Sequence, residues 1–142
     1  MDNNKLPEFF YEIFDASLPR HGPGDDASTR KALNALMDAD LKNREASGSS
    51  GLRILDLGCG CGPQTIELAK HIDGTILAVD NHQPFLDELM RRAQAAGVSD
   101  KIRTRLEDMT KLELEPGSFD LIWSEGAIFV TGFNDGLKAC HR

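Results

Sequence analysis

The run Ile54-Leu55-Asp56-Leu57-Gly58-Cys59-Gly60-Cys61-Gly62-Pro63 constrains this chain more than any other segment. An apolar stretch of strand length stops at a glycine, and three glycines then alternate with two cysteines. A proline comes directly after the last glycine. Glycine adopts torsions that other residues avoid, and its missing side chain lets another molecule approach the backbone. Proline suits the first turn of a helix. The order is therefore strand, tight turn, helix. A helix that begins there presents unpaired N–H groups and a partial positive charge. An isolated glycine-rich loop is as often a structural turn, but the strand-turn-helix context favours a binding loop.

The flanking pattern extends that unit. Residues 52–57 suit a buried parallel strand, and residues 63–72 a helix. Residues 75–79 predict a second strand ending at Asp80. Residues 83–96 predict an amphipathic helix through Phe85, Leu86, Leu89, Met90 and Ala93, stopped by Gly97. A third strand is expected at 101–106, a turn at Pro116-Gly117, a fourth strand at 119–123 and a further helix over 134–141. Strands alternating with helices predict an α/β protein with a parallel sheet.

Ahead of this core, Leu6, Phe9, Phe10, Ile13 and Phe14 recur at helical spacing after Pro7. Pro19-Arg20-His21-Gly22-Pro23-Gly24 breaks regular structure. Asp25, Asp26 and Ser28 are N-cap candidates for a second helix with Leu33, Leu36, Met37 and Leu41 on its apolar face. The expected organisation is a helical cap over 1–45, a flexible Ser/Gly connection over 46–51 and a core over 52–142.

Two carboxylates narrow the ligand. Asp80 lies 24 positions after Asp56, at the end of the second strand. In a doubly wound sheet a carboxylate there accepts hydrogen bonds from ribose hydroxyls. Asp56 sits beside the glycine loop, where it would repel the pyrophosphate of a dinucleotide. Pro63 also replaces the last glycine of the dinucleotide fingerprint. A cationic adenosyl ligand fits both residues better. The pair Cys59 and Cys61 has no second pair at zinc-site spacing, and Cys140-His141 does not complete one, so no metal site is expected. Arg91-Arg92 reads as a solvated helix face. His21, His71 and His82 lack recognisable catalytic partners and read as surface or loop residues.

These motifs resemble class I S-adenosylmethionine-dependent methyltransferases. Leu55 to Gly62 is similar to their first motif, and Val79-Asp80 to their second, whose acid binds ribose. The resemblance implies that Asp56, Gly58, Cys59, Gly60 and Gly62, together with Asp80 and Asn81, hold S-adenosyl-L-methionine, with S-adenosyl-L-homocysteine as product. Glu107-Asp108-Met109 resembles the adenine-binding segment, so Asp108 is expected at the adenine amino group with Met109 beside the ring. Residues 118–126 resemble the fourth strand and the loop facing the transferred methyl, which brings in Ser124 and Glu125. The implied fold is a Rossmann-like doubly wound parallel sheet under an N-terminal helical cap.

The family continues with a fifth strand and a final hairpin that this sequence lacks, so the core is expected to be incomplete and the fourth strand an uncovered edge. A second copy pairing there would form a homodimer. The helical cap points to a small-molecule methyl acceptor, and no catalytic residue is assigned, although Tyr11 and Glu125 are placed to line such a site. The formal net charge of −7 disfavours a nucleic-acid partner. No run reaches the roughly 20 apolar residues of a membrane span. Three cysteines and no apolar leader fit a reducing cytoplasm. Two rival readings stand beside methyl transfer: a truncated or degenerate adenosyl-binding module without turnover, and a nicotinamide-dependent oxidoreductase.

Overall fold

The computed structural model describes residues 7–38 and 51–141. Two short N-terminal helices, α1 (Glu8–Ile13) and α2 (Asp26–Leu36), precede a strand-helix alternation. Strand β1 (Leu52–Leu57) leads into α3 (Pro63–His71), then β2 (Gly74–Asp80) into α4 (Gln83–Ala95). A 3₁₀ turn at Ser99–Lys101 enters β3 (Ile102–Leu106). Strand β4 (Leu121–Trp123) is followed by a second 3₁₀ turn, Ile128–Thr131, and by α5 (Phe133–Cys140).

All pairings are parallel, and the strand order is β3-β2-β1-β4. The chain winds outward from β1 to β3, then crosses back so that β4 lies on the other side of β1. This is the Rossmann-like arrangement, with its switch point between the carboxyl ends of β1 and β4. Fourth-strand pairing begins at Leu121 rather than 119: Phe119 instead packs into the second core cluster from the preceding loop.

The period of two in each strand divides the core. Leu52, Ile54, Ile76 and Ala78 share one face with Leu68 of α3 and Leu86 and Leu89 of α4. Leu55, Leu57 and Val79 face the other way, towards Met109, Phe119, Ile122 and Ile128. The first cluster is closed: Ile54, Leu68 and Leu89 are fully buried, each contributing roughly 1.5–3 kcal/mol. The second is shallower, because most of its members are only partly buried. Asp56 belongs to the first face by register, and so is held under α3 with no exposure. Helix α2 covers α3, where Arg30 reaches the buried Glu67 at 2.6 Å.

The N-terminal helices depart from expectation in two respects. Helix α1 is only six residues long, and Phe9 and Ile13 face outward instead of joining a buried stripe. The side turned towards the protein carries Phe10 and Tyr11, both half-buried, with Phe14 just beyond it. Phe10 packs on Phe14, while the ring of Tyr11 stacks on His82 at 4.1 Å. Asp25 is the N-cap of α2, its carboxylate accepting from the Ser28 amide at 2.7 Å. Leu36 of the predicted apolar face is exposed. Leu6, Leu41 and the connection over 46–50 lie outside the described residues.

Candidate cofactor site

The glycine loop is built by backbone bonds to β2. The amides of Gly58 and Cys59 both donate to the Val79 carbonyl, at 2.8 and 3.0 Å, and Gly62 N–H closes the turn on Cys59 C=O at 2.9 Å. Asp80 completes the brace: its Oδ2 accepts from Gly60 N–H at 2.9 Å and its Oδ1 from His82 N–H at 3.1 Å. Burial raises the Asp80 carboxyl above its ordinary value, against the lowering pull of those amides.

Two glycines show why the sequence needs them. Gly60 has φ +55°, and a Cβ there would stand 3.2 Å from His21 Nδ1. Gly62 has φ +70°, and a Cβ would lie 2.0 Å from Leu89 Cδ1. The sequence places both under a ligand. Gly62 also serves packing, since its missing side chain admits Leu89 of α4 into the core.

Asp56 lies beneath the loop. Its Oδ2 accepts from Thr65 Oγ at 2.6 Å and from Gln64 Nε2 at 3.2 Å, while Oδ1 has no hydrogen-bond partner among the described residues. Burial pushes this carboxyl up to about 7, although Thr65 and Gln64 pull it down. A buried, under-satisfied carboxylate favours a cation nearby and disfavours an anion. Gln64 also donates to Cys59 C=O at 3.0 Å, so one amide ties the loop to Asp56.

At the switch point a cavity of about 270 Å³ opens between the glycine loop and the segment after β4. Its walls include Gly58, Gly60, Gln64, Glu125, Arg20 and His21. Arg20 and His21 belong to the segment read from sequence only as a break, so they are site residues that the sequence did not reveal. His21 lies in this loop and is half-buried: it is 4.4 Å from the Phe85 ring, and its Nε2 is 2.9 Å from the Asp15 carbonyl.

Glu125 is fully engaged. Its Oε2 accepts from Arg20 at 3.0 Å, and its Oε1 accepts from Thr29 at 2.7 Å and from the Trp123 indole at 3.0 Å. Ser124 donates to the Leu57 carbonyl at 3.0 Å, which joins the ends of β4 and β1. Met109 reaches over Gly58, with Cε 2.8 Å from where a Cβ would be. Asp108 accepts from the Thr110 amide and hydroxyl in a local turn, and Asn81 is exposed. Of the residues expected at the ligand, Gly58, Cys59, Gly60 and Glu125 border the cavity, whereas Asp56, Gly62, Asp80, Asn81, Asp108, Met109 and Ser124 do not. Cys59 and Cys61 are buried, and burial pushes Cys61 up to about 11 and Cys59 well above its ordinary value. Neither thiol is an available nucleophile.

A sequence family described as a methyltransferase domain matches residues 54–142, from the strand before the glycine loop onward. The chain belongs to this methyltransferase family. It is 30% identical over 140 residues to the sarcosine/dimethylglycine N-methyltransferase of Aphanothece halophytica, covering 92% of this chain and 48% of that protein. It is also 30% identical over 108 residues to the 27-O-demethylrifamycin SV methyltransferase of Amycolatopsis mediterranei, covering 73% and 38%. Among solved structures, a SAM-dependent methyltransferase from Thiobacillus denitrificans in complex with S-adenosyl-L-homocysteine aligns with a TM-score of 0.67 at 23% identity, covering 90% of this chain and 47% of that one. That likeness is one of fold. The chain spans less than half the length of each of these proteins.

Proposed function

We propose that this chain binds S-adenosyl-L-methionine at the switch point and transfers its methyl group to a small-molecule acceptor. The observation that carries the reading is the cavity itself. It opens at the carboxyl ends of β1 and β4, over a glycine loop that Asp80 braces from β2. Open α/β sheets bind ligands at such a point. Family membership favours methyl transfer over nicotinamide chemistry, and the buried Asp56 agrees, since its charge opposes a pyrophosphate.

In this reading Gly58, Cys59 and Gly60 lie under the ligand, which extends beyond the cavity so that Asp80 with Asn81 takes the ribose diol. Asp108 and Met109 take the adenine, while Ser124 and Glu125 border the transferring side. Gly62 supports the site by admitting Leu89. S-adenosyl-L-methionine supplies an activated methyl on a sulfonium leaving group. The residues of this chain supply position and charge: Asp56 holds negative potential below the loop, and the strap carrying Arg20 and His21 restricts water above it. Small acceptors are supported by the two curated relatives, whose names give sarcosine/dimethylglycine and a rifamycin. Residues 1–45 act as the cap and 52–142 as the binding core.

A binding module without turnover is the second reading. It is favoured by Glu125, whose carboxylate is committed to Arg20, Thr29 and Trp123 rather than offered as a base. Incubation with S-adenosyl-L-methionine and a panel of small amines, hydroxy acids and phenols, read by mass spectrometry, separates the two. A gain of one methyl mass on an acceptor supports the transferase. Cofactor binding with no methylated product across the panel supports the module.

A further inference from the structure

Arg92 looks from its place in the sequence like half of a solvated pair. The structure separates the pair. Arg91 is 68% exposed in its side chain and touches Glu88, whereas Arg92 is 18% exposed and turned inward. Glu88 Oε1 accepts from Arg92 Nε at 2.7 Å and aims the guanidinium. The two terminal nitrogens then donate to three main-chain carbonyls, those of Pro19 at 3.0 Å, Ala16 at 2.9 Å and Leu18 at 2.9 Å. Segment 16–19 is not part of a helix or strand, so few of its carbonyls are satisfied by regular structure. One planar side chain with fixed donors meets three of them.

The chain that Arg92 grips continues directly into the roof of the cavity. Arg20, His21, Gly22, Pro23 and Gly24 all line it. Across the cavity the same strap is held by Arg20 on Glu125 and Asp26. It is thus held by Arg92 and the Phe85 ring of α4, by Glu125 behind β4 and by the Cys61 thiol at Ala16, with His21 over Gly60.

We propose that Arg92 is a positioning residue for the cofactor site, acting through residues 16–19 to keep the strap closed over the glycine loop. The proposal rests on the reading of the cavity as the adenosyl-cofactor site. If the strap must be closed for binding, apparent affinity falls with the closed fraction, so a strap closed a tenth of the time weakens binding about tenfold.

The test uses Arg92→Met, which keeps an unbranched apolar stem, with Arg91→Met as the control. S-adenosyl-L-homocysteine affinity is measured by calorimetry, and amide hydrogen exchange is followed in the ligand-free proteins. Arg92→Met is expected to weaken affinity about tenfold or more. It is also expected to speed exchange in 16–22 while leaving β1 and β2 unchanged, an effect that general destabilisation would not localise. Arg91→Met is expected to alter neither. Unchanged strap exchange in Arg92→Met overturns the proposal, as does a loosened strap with unchanged affinity. A wild-type protein that does not bind the ligand overturns the proposed function and this inference with it, whereas strap exchange still reports on the Arg92 anchor. Should Arg92→Met not fold, Glu88→Gln removes the carboxylate that aims the guanidinium and carries the same two readouts.

Discussion

Asp80 Oδ2 accepts the Gly60 amide at 2.9 Å, so the acid at the end of β2 braces the glycine loop after β1. The carboxylate expected to receive a ribose therefore also holds the loop that forms the cavity wall. Asp80→Ala loses both roles. Charge-assisted hydrogen bonds are worth about 1.5–3 kcal/mol each, so calorimetry should show S-adenosyl-L-homocysteine binding weakened at least tenfold. A loss below about 1 kcal/mol would make Asp80 an ordinary turn residue.

Gly60 and Gly62 should act through different neighbours, the cavity and Leu89. In Gly60→Val, branching side-chain atoms enter the cavity beside His21 and the residue is strained at φ +55°, so binding should be abolished and Tm lowered. In Gly62→Ala the added carbon meets Leu89 at 2.0 Å. Overpacking of that kind costs about 1–3 kcal/mol, read as a lowered Tm. Leu89→Ala in the same chain removes the clash and should make the Gly62 substitution less costly than it is alone. Equal losses of Tm from the Gly62 substitution with and without Leu89 would contradict this packing relationship.

Asp56 gives a pH dependence with a definite sign. Its folded carboxyl is raised from 3.8 to about 7, so the native state holds the proton more tightly than the unfolded one. The resulting stability is fully present below about 3.8 and is lost as pH rises through about 7, a change on the order of a few kcal/mol. Asp56→Asn cannot titrate. The stability difference between wild type and variant should therefore shift in favour of the variant from pH 4 to pH 8, while the variant binds S-adenosyl-L-homocysteine more weakly. A pH-independent difference in denaturation midpoints would show that Asp56 is not so perturbed.

The sheet and its loop were legible in the sequence because they depend on local pattern. Period-two apolar runs, the glycines at 58, 60 and 62 and the proline at 63 specify strand, turn and helix without reference to distant residues. The roof was not legible. Arg20 reaches Glu125 across 105 positions, and Arg92 reaches Ala16 across 76. No local spacing signals such contacts, so Pro19 to Gly24 read as a break and Arg92 as solvated. Glu125 is expected at the site, but two of the three donors that occupy it, Arg20 and Thr29, lie 105 and 96 positions away.

Strand β4 is an edge of the described sheet, and Phe129, Phe133 and Leu137 are exposed on the segment after it. Exposed apolar stripes and open edges recruit other chains. Sedimentation equilibrium of residues 1–142 should show concentration-dependent association, and Phe133→Ser should reduce it. A monomer at all concentrations would contradict pairing through this edge.

On the proposed function, the switch-point cavity selects an adenosyl ligand that carries an ammonium over a dinucleotide anion. Calorimetric titration of the wild-type protein with S-adenosyl-L-methionine, S-adenosyl-L-homocysteine and NAD tests that selection. Saturable binding of both adenosyl ligands and none of NAD is expected, with loss of both in Gly60→Val. Binding of NAD in preference to the adenosyl ligands, or adenosyl binding unaltered by Gly60→Val, would contradict it.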